Sequence, residues 1–267
     1  MRDAASHDEI AAATAYEHLH VPALFRQWAP RVVEAAQIRP GHRVLDVACG
    51  TGVLTREVAS RLGDDGTVTG LDASRGMLTV AERLAPTITW RAVVAEALPF
   101  DDESFDVVVS QFGLMFFGDP SKALQDMLRV LAPTGSLAVA VWESLENSQA
   151  YPDEVALLER LAGPRAADAL RAPFVLGDRK VLTTLFEGAG VDSLEITTHH
   201  GTARFPSIRS MVEADLRGWL PVMGVVLTEE QIQHILEEAE HVLGHFVTPD
   251  GTVRFDAPAH IIAGRKS

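Results

Sequence analysis

One stretch constrains the fold more than any other: Val44-Leu45-Asp46-Val47-Ala48-Cys49-Gly50-Thr51-Gly52. A largely apolar, β-branched run passes into two glycines, and an amphipathic segment from Gly52 to Leu62 follows directly. A buried strand, a tight turn and a helix in that order is the opening unit of a parallel sheet, because parallel neighbours must be joined through a crossover.

The pattern repeats downstream. Thr67–Leu71 reads as a strand closing at Asp72, and Ser74–Leu84 as a helix with Ser74 as N-cap. Ile88–Val94 is a third strand, and Pro99–Ser104 an acidic loop. Phe105–Ser110 is a continuous run suited to a strand covered on both faces. Pro120–Leu131 reads as a helix, Pro133-Thr134-Gly135 as a turn and Ser136–Trp142 as a fifth strand. This alternation predicts an α/β fold with a doubly wound, mostly parallel sheet.

The flanks differ. About 8–37 predicts two or three short helices, restarted at Pro22 and Pro30. About 144–176 and Asp178–Gly188 read as helical, Ser193–Phe205 as one long strand, and Ile208–Trp219 and Thr228–His245 as two helices. Thr228 with Gln231 fits a capping box. A last strand lies within Val253–Lys266. The last two strands are expected to pair antiparallel and bring the sheet to seven strands, with the helices between them inserted over one edge. The expected organisation is a helical lid over 1–38 and one domain over 39–267, carrying helical insertions at about 144–176 and 207–246.

Composition narrows the partners. The net charge of −14 argues against nucleic acid, which needs a basic face. Cys49 is the single cysteine, so an intrachain disulfide is impossible and a reducing cytoplasm is the expected location. Met1 to Ile10 carries Arg2, Asp3, Asp8 and Glu9 without an apolar core, unlike a signal peptide, and no apolar run is long enough to span a membrane. Paired-cysteine and H-E-x-x-H metal motifs are missing, and His199-His200 are adjacent. Monomer and homodimer both fit the sequence.

In an open parallel sheet, ligands sit beyond the carboxyl ends of the strands. Gly50 and Gly52 let backbone approach a ligand there. Asp72, 20 residues after Gly52, closes the neighbouring strand, where a carboxylate can accept both hydroxyls of a ribose. Thr55 stands where a dinucleotide fingerprint needs its third glycine, no Gly-Lys-Ser/Thr follows, and the turn holds no basic residue. A nucleoside without phosphates therefore fits better than NAD or ATP.

With Gly70-Leu71-Asp72-Ala73-Ser74, Met77, Glu96-Ala97-Leu98-Pro99-Phe100, Asp102-Glu103-Ser104-Phe105-Asp106, Arg129-Val130-Leu131 and Pro133-Gly135 added, roughly 40–142 resembles the class I S-adenosylmethionine-dependent methyltransferases. The likeness is strongest to the ubiquinone/menaquinone-methyltransferase-like group. It implies a Rossmann-like methyltransferase fold, S-adenosylmethionine as cofactor and S-adenosylhomocysteine as product. It also implies roles. Asp46 and the backbone of Ala48, Cys49, Gly50, Thr51 and Gly52 would hold the methionine part, and Asp72 the ribose. Ala73 and Met77 would lie against adenine, with Ala95, Glu96 and Ala97 at its edge. Gln111 and Phe112 would face the sulfonium and the acceptor. Two positions depart from the family. Ala48 replaces a glycine often found in the turn. Val94 stands where an acidic residue often reaches the adenine amino group, a loss of about 1 kcal/mol or about fivefold in affinity.

Blander readings stand beside these. Asp72 and Asp46 could cap turns, and Cys49 is simply a small turn residue. Met115, Phe116, Trp142, Trp219 and Met223, with Tyr16, Phe25 and Trp28 from the N-terminal segment, are candidate acceptor contacts, or core. No residue carries a catalytic signature. Of the histidines, His199, His200 and His20 are the candidates, whereas His234, His241 and His245 follow the spacing of a solvated helix face. The implied reaction is in-line transfer of a methyl group to a small, partly apolar acceptor, with Met211–Val226 as a lid. The alternatives are a non-catalytic cofactor-binding protein and a dinucleotide-dependent oxidoreductase.

Overall fold

A computed structural model describes residues 5–266. Met1 to Ala4, the start of the expected lid unit and part of the stretch read against a signal peptide, lie outside the described residues. The central sheet contains β1 (Arg43–Val47), β2 (Thr67–Asp72), β3 (Thr89–Ala92), β4 (Phe105–Gln111), β5 (Leu131–Trp142), β6 (Asp192–His199) and, after the two strands β7 (Thr202–Phe205) and β8 (Val253–Asp256), β9 (Ala259–Arg265). Its order is β3-β2-β1-β4-β5-β9-β6, with β1 to β5 parallel and β9 antiparallel to both neighbours. The expected seven-stranded, mostly parallel sheet is present.

The period of two along each strand divides the core. Val44, Val107, Val109, Ala138, Ala140 and Ile261 pack on one face. Leu45, Val47, Val108, Leu137, Val139 and Ile262 pack on the other. Helices α1 (His7–His20), α2 (Ala29–Ala35), α3 (Val53–Leu62), α4 (Arg75–Leu84) and α5 (Pro120–Val130) alternate with the first strands. Ser6 and Glu9 form a capping box at α1, and Ser74 caps α4. Arg129 explains a motif of the sequence structurally. Its guanidinium bonds Asp126, Asp102 and the carbonyls of Leu98 and Phe100, holding the loop before β4 against α5.

Beyond β5 come α6 (Tyr151–Ala162), α7 (Pro164–Arg171) and α8 (Arg179–Ala189), then α9 (Ile208–Glu213), α10 (Leu220–Val222) and α11 (Glu229–Val242). The single strand expected over Ser193–Phe205 is two, and so is the one expected in Val253–Lys266. β7 and β8 pair with each other in a separate small sheet. The reason is local. Gly201 lies so close to Trp28 that a Cβ there would come within 2.3 Å of its ring. The Gly201 carbonyl takes the Ala257 N–H at 2.9 Å, and Pro258 next to it has no N–H to continue a ladder. Both segments bend at the same level. Gln27 clips the N-terminal segment to the bend, exchanging two 3.0 Å hydrogen bonds with the Thr202 backbone.

Two helical runs carry π-helical turns, Val21–Phe25 after α1 and Ala214–Trp219 between α9 and α10. Such turns insert a residue and re-aim side chains, often at functional sites. They bring α1 against the insertion, so the insertion packs over the carboxyl ends of the strands as well as over the small sheet.

Candidate active site

A cleft of about 600 Å³ opens at the carboxyl ends of β1, β2 and β4. The turn after β1 makes its floor. Ala48, Gly50 and Gly52 have φ of 58°, 55° and 86°, the left-handed region. For Ala48 that backbone costs about 1–2 kcal/mol relative to an ordinary conformation, which is where a glycine would relieve strain. An ideal Cβ on Gly50 would meet no atom within 4 Å. Gly52 N-caps α3 and faces Trp90, 2.5 Å from where its Cβ would stand, so it shapes the turn and does not line the cleft.

Asp72 closes β2 beside this turn. Its Oδ2 accepts the Gly50 N–H at 2.8 Å and its Oδ1 the Ser74 N–H at 2.7 Å. One carboxylate thus fixes the turn and the start of α4, while each oxygen keeps a second lone pair. Burial raises its pKa, opposed by those two N–H groups. Asp46 is fully buried beneath the turn, with Oδ2 held by the Thr55 hydroxyl at 2.5 Å and Oδ1 without a partner among the described residues. Burial is the main cause that pushes its pKa up to about 7. Burial, with Asp72 and Asp46 nearby, also pushes the Cys49 thiol well up, which leaves it an un-ionised turn residue.

Helix α1 crosses the cleft and is latched to the turn. Thr51 Oγ1 donates to Glu17 Oε2 at 2.5 Å, Arg56 Nη2 to Glu17 Oε1 at 2.9 Å, and Arg56 Nη1 to the Thr51 carbonyl at 2.6 Å. Gly76 permits the approach of α4, since a Cβ there would lie 2.5 Å from the Glu9 carbonyl oxygen. Tyr16 lines the cleft from α1, and burial with the charges of Asp72 and Glu17 keeps its hydroxyl protonated.

The remaining expected cofactor positions divide. Ala73, Met77, Ala95, Glu96, Gln111 and Phe112 line the cleft. Ala97 does not; it borders a shallow groove outside β3. Glu96 is already engaged, since its Oε1 accepts the N–H groups of Gly118 and Asp119 at 2.6 and 3.2 Å and ties the loop to α5. Val94 is about half exposed at the cleft rim. Gln111 donates to the Phe25 carbonyl at 3.2 Å, and its buried Oε1 has no partner among the described residues. Phe112 sits at φ 57°, a strained backbone for a bulky residue, and stacks on Trp142 with centroids 4.0 Å apart.

Of the expected acceptor residues, Met115, Phe116, Trp219 and Met223 line the same cleft. Phe25 and Trp142 line a second, smaller cavity of about 60 Å³ that shares Tyr16, Phe112, Phe116 and Trp219 with the first. Trp28 lines neither. It is fully buried in the core, edge-on to Phe112 and Trp142. His199 and His200 line neither cavity; they lie at the end of β6, the outer strand of the sheet. His20 does line the smaller cavity. Val93, Gly118 and Ala172 also reach the cleft wall, positions that spacing does not single out. Two more residues had a readable signal. Glu154 falls on the stripe Tyr151, Val155, Leu158, and Asp215 on the stripe Ile208, Met211, Val212, so each is an acid on an apolar helix face.

No group of three metal-binding side chains and no helix long and apolar enough to cross a membrane occurs among the described residues. The donor set fits a nucleoside with a cationic tail. It offers an anchored carboxylate at Asp72, an unpartnered buried carboxylate oxygen at Asp46 and open space over Gly50. Ionisation of Asp46 makes a prediction about pH. A cationic ligand group pairs with the ionised form, so binding draws a proton off Asp46 below about pH 7, and affinity rises with pH up to that point, by at most about tenfold per unit. Calorimetry in buffers of differing ionisation heat should record proton release at pH 6 that disappears in Asp46→Asn. Without ligand the linkage has the opposite sense. The raised pKa lets the folded state hold the proton longer, so Asp46's contribution to stability falls as pH rises from 3.8 to about 7.

A family model described as a methyltransferase domain matches residues 44–135. Demethylmenaquinone methyltransferase of Renibacterium salmoninarum is 49% identical over 115 residues, 43% of this chain and 47% of that protein. Ubiquinone/menaquinone biosynthesis C-methyltransferase UbiE of Paraburkholderia phymatum is 36% identical over 190 residues, 64% of this chain and 76% of that protein. The chain thus spans about half the length of the first relative and three quarters of the second. Among solved structures, Haemonchus contortus phosphoethanolamine N-methyltransferase 2, in complex with phosphomonomethylethanolamine and S-adenosylhomocysteine, shares the fold. The TM-score is 0.61 at 17% identity, covering 96% of this chain and 57% of the other. The matched region runs from β1 through the start of β5, which contains the turn and Asp72, and the longer match extends past it. The chain therefore belongs to the class I S-adenosylmethionine-dependent methyltransferases, in the group of the ubiquinone/menaquinone C-methyltransferases.

Proposed function

We propose that the protein methylates a ring carbon of a small, flat, hydroxylated aromatic acceptor of the quinol type, and that it works in the cytoplasm. One observation carries the reading. The cleft beside Asp72 shares Tyr16, Phe112, Phe116 and Trp219 with a smaller cavity that Phe25 and Trp142 also wall. Stacked and tilted aromatic walls suit a flat ring. The names of the two relatives, a demethylmenaquinone methyltransferase and a C-methyltransferase of quinone biosynthesis, support the same acceptor class.

When bound, S-adenosylmethionine supplies an electrophilic methyl group and needs no covalent help from the protein. The chain's part is alignment and exclusion of water. In this reading Asp72 takes the ribose hydroxyls and Asp46 with the Ala48–Thr51 backbone takes the methionine end. Met77 and Ala95 pack on the adenine. Residues 1–38 and the insertion at 207–246 act as the lid, with α1 held down by the Glu17 latch. Opening that latch would admit cofactor and release product.

The test is incubation with methyl-labelled S-adenosylmethionine and reduced benzoquinones and naphthoquinones, with products located by mass spectrometry and NMR. Label on a ring carbon is the expected result. Label on oxygen or nitrogen alone contradicts the reading, and binding without transfer to any acceptor favours the non-catalytic alternative.

A further inference from the structure

Three ionisable side chains meet behind the aromatic cavity, each from a different part of the fold. His20 ends α1, Asp215 lies in the π-helical turn of the insertion, and Glu154 lies on α6. All three are buried, with exposures of 3%, 3% and 0%. His20 Nε2 stands 3.0 Å from Asp215 Oδ1. A carboxylate accepts there, so Nε2 carries the hydrogen, and Nδ1 keeps a lone pair with no partner among the described residues. Gly218 stands opposite that edge of the ring; even an ideal Cβ on it would lie 3.8 Å from Nδ1, and no side chain comes from it to cover the nitrogen. Neither Glu154 oxygen nor Asp215 Oδ2 meets an N–H or O–H donor among the described residues, and the two carboxyls interact with each other. Burial and the neighbouring Asp215 charge push Glu154 well above the usual carboxyl range, so it keeps its proton beside Asp215. His20 and Asp215 both line the smaller cavity.

We infer that the His20–Asp215 pair, fixed by Glu154, is the proton acceptor for the acceptor's aromatic hydroxyl. The inference rests on the quinol-type reading above and deepens it, because it requires an acceptor with an ionisable hydroxyl entering the smaller cavity. The O–H bond breaks, its proton goes to His20 Nδ1, and the electron pair stays on the acceptor oxygen, delocalised onto the ring. The ring carbon then bonds the methyl carbon while the methyl–sulfur bond breaks, its pair remaining on sulfur. The ring C–H proton leaves to solvent, and His20 returns its proton to the oxygen, so one proton is released per methyl transferred. Asp215 holds the imidazole in the required tautomer and stabilises its cation, and Glu154 keeps Asp215 in place. The other groups facing the cluster, Tyr16, Phe25 and Tyr151, are aromatic, and burial with the adjacent carboxylates keeps both tyrosines protonated. They do not compete for the proton.

The test compares two acceptors. One is 1,4-naphthohydroquinone, whose hydroxyl is protonated at the assay pH. The other is a nitro-substituted naphthol that is already ionised. His20→Asn and Asp215→Asn are expected to lose about 100-fold in kcat with the first and less than about fivefold with the second, because a base contributes about 10²–10⁴ only where a proton must leave. Equal losses with both acceptors mark the cluster as packing alone and overturn the inference. A second readout does not depend on turnover or on a variant folding. 4-Nitrophenol bound to the wild-type complex with S-adenosylhomocysteine, at a pH where free nitrophenol is mostly protonated, should show the absorbance of the phenolate. Binding in the protonated form overturns the inference. If the wild type methylates neither acceptor, the quinol-type reading fails with it. If it methylates both and only the ratio is wrong, the reading stands and the proton acceptor does not.

Discussion

Replacing Asp72 with alanine is expected to weaken S-adenosylhomocysteine binding by about 100-fold, because hydrogen bonds to a charged group contribute about 1.5–3 kcal/mol each. The carboxylate has two tasks. It lines the cleft, and each oxygen keeps a second lone pair with which ribose hydroxyls would bond. Its other lone pairs hold the Gly50 and Ser74 N–H groups at 2.8 and 2.7 Å, so removing it also loosens the turn and the start of α4. Cys49→Ser is the matched control. It sits in the same turn, its thiol is un-ionised, and it makes a weak 3.7 Å approach to the Gly50 carbonyl. That variant should change affinity by less than about threefold, the scale of one weak hydrogen bond. Calorimetric titration of both variants decides the point, and equal, unchanged affinities would falsify the ribose assignment.

Gly50→Val is the second large effect, and its mechanism is different. Gly50 has φ 55°, and its missing Cβ points into open space. Valine there strains the backbone by about 1–2 kcal/mol, which in a chain of this size lowers Tm by about 2–8 °C without preventing folding. The isopropyl group then stands in the cleft where the methionine end of the cofactor would lie. Binding is expected to disappear below the limit of calorimetry while circular dichroism stays that of the wild type. Normal binding by this variant would move the site away from the glycine turn.

The parts of the fold that could be read in the sequence are those with a local cause. Val44–Gly52 announces a strand, a turn and a helix because burial on two faces, two glycines and a 3.6-residue period are all local. Ser74 and Thr228 announce helix starts because the cap bonds span three residues. The break of β6 from β7 was not legible, because it depends on Trp28, far away in the chain, pressing on Gly201. The same limit explains Trp28 itself. A large aromatic residue in a helical segment near the cleft reads equally as wall or as core, and only packing against Phe112 and Trp142 places it in the core. Glu96 was expected at the adenine edge and does line the cleft, yet its bonds to Gly118 and Asp119 come from a loop 22 residues later.

The cluster at His20 is an intermediate case. Each of its three residues lies at the i, i+3, i+4, i+7 spacing of an apolar helix face, His20 with Ala13 and Tyr16, Glu154 with Tyr151, and Asp215 with Met211 and Val212. The anomaly is visible in each helix separately. What brings the three together is the approach of the N-terminal helix to the insertion, which is a property of the tertiary fold. His199 and His200, more conspicuous as a pair in the sequence, end up at the far strand of the sheet.

Everything functional above depends on the cleft being a site for S-adenosylmethionine. The most direct measurement is an equilibrium titration of the purified chain with S-adenosylhomocysteine by calorimetry, paired with a fluorescence titration with NADH. The structure predicts one S-adenosylhomocysteine bound per chain, with no NADH binding, because the turn lacks the third glycine and any basic residue for a pyrophosphate. No heat with S-adenosylhomocysteine, or saturable binding of NADH in the same cleft, would contradict the account.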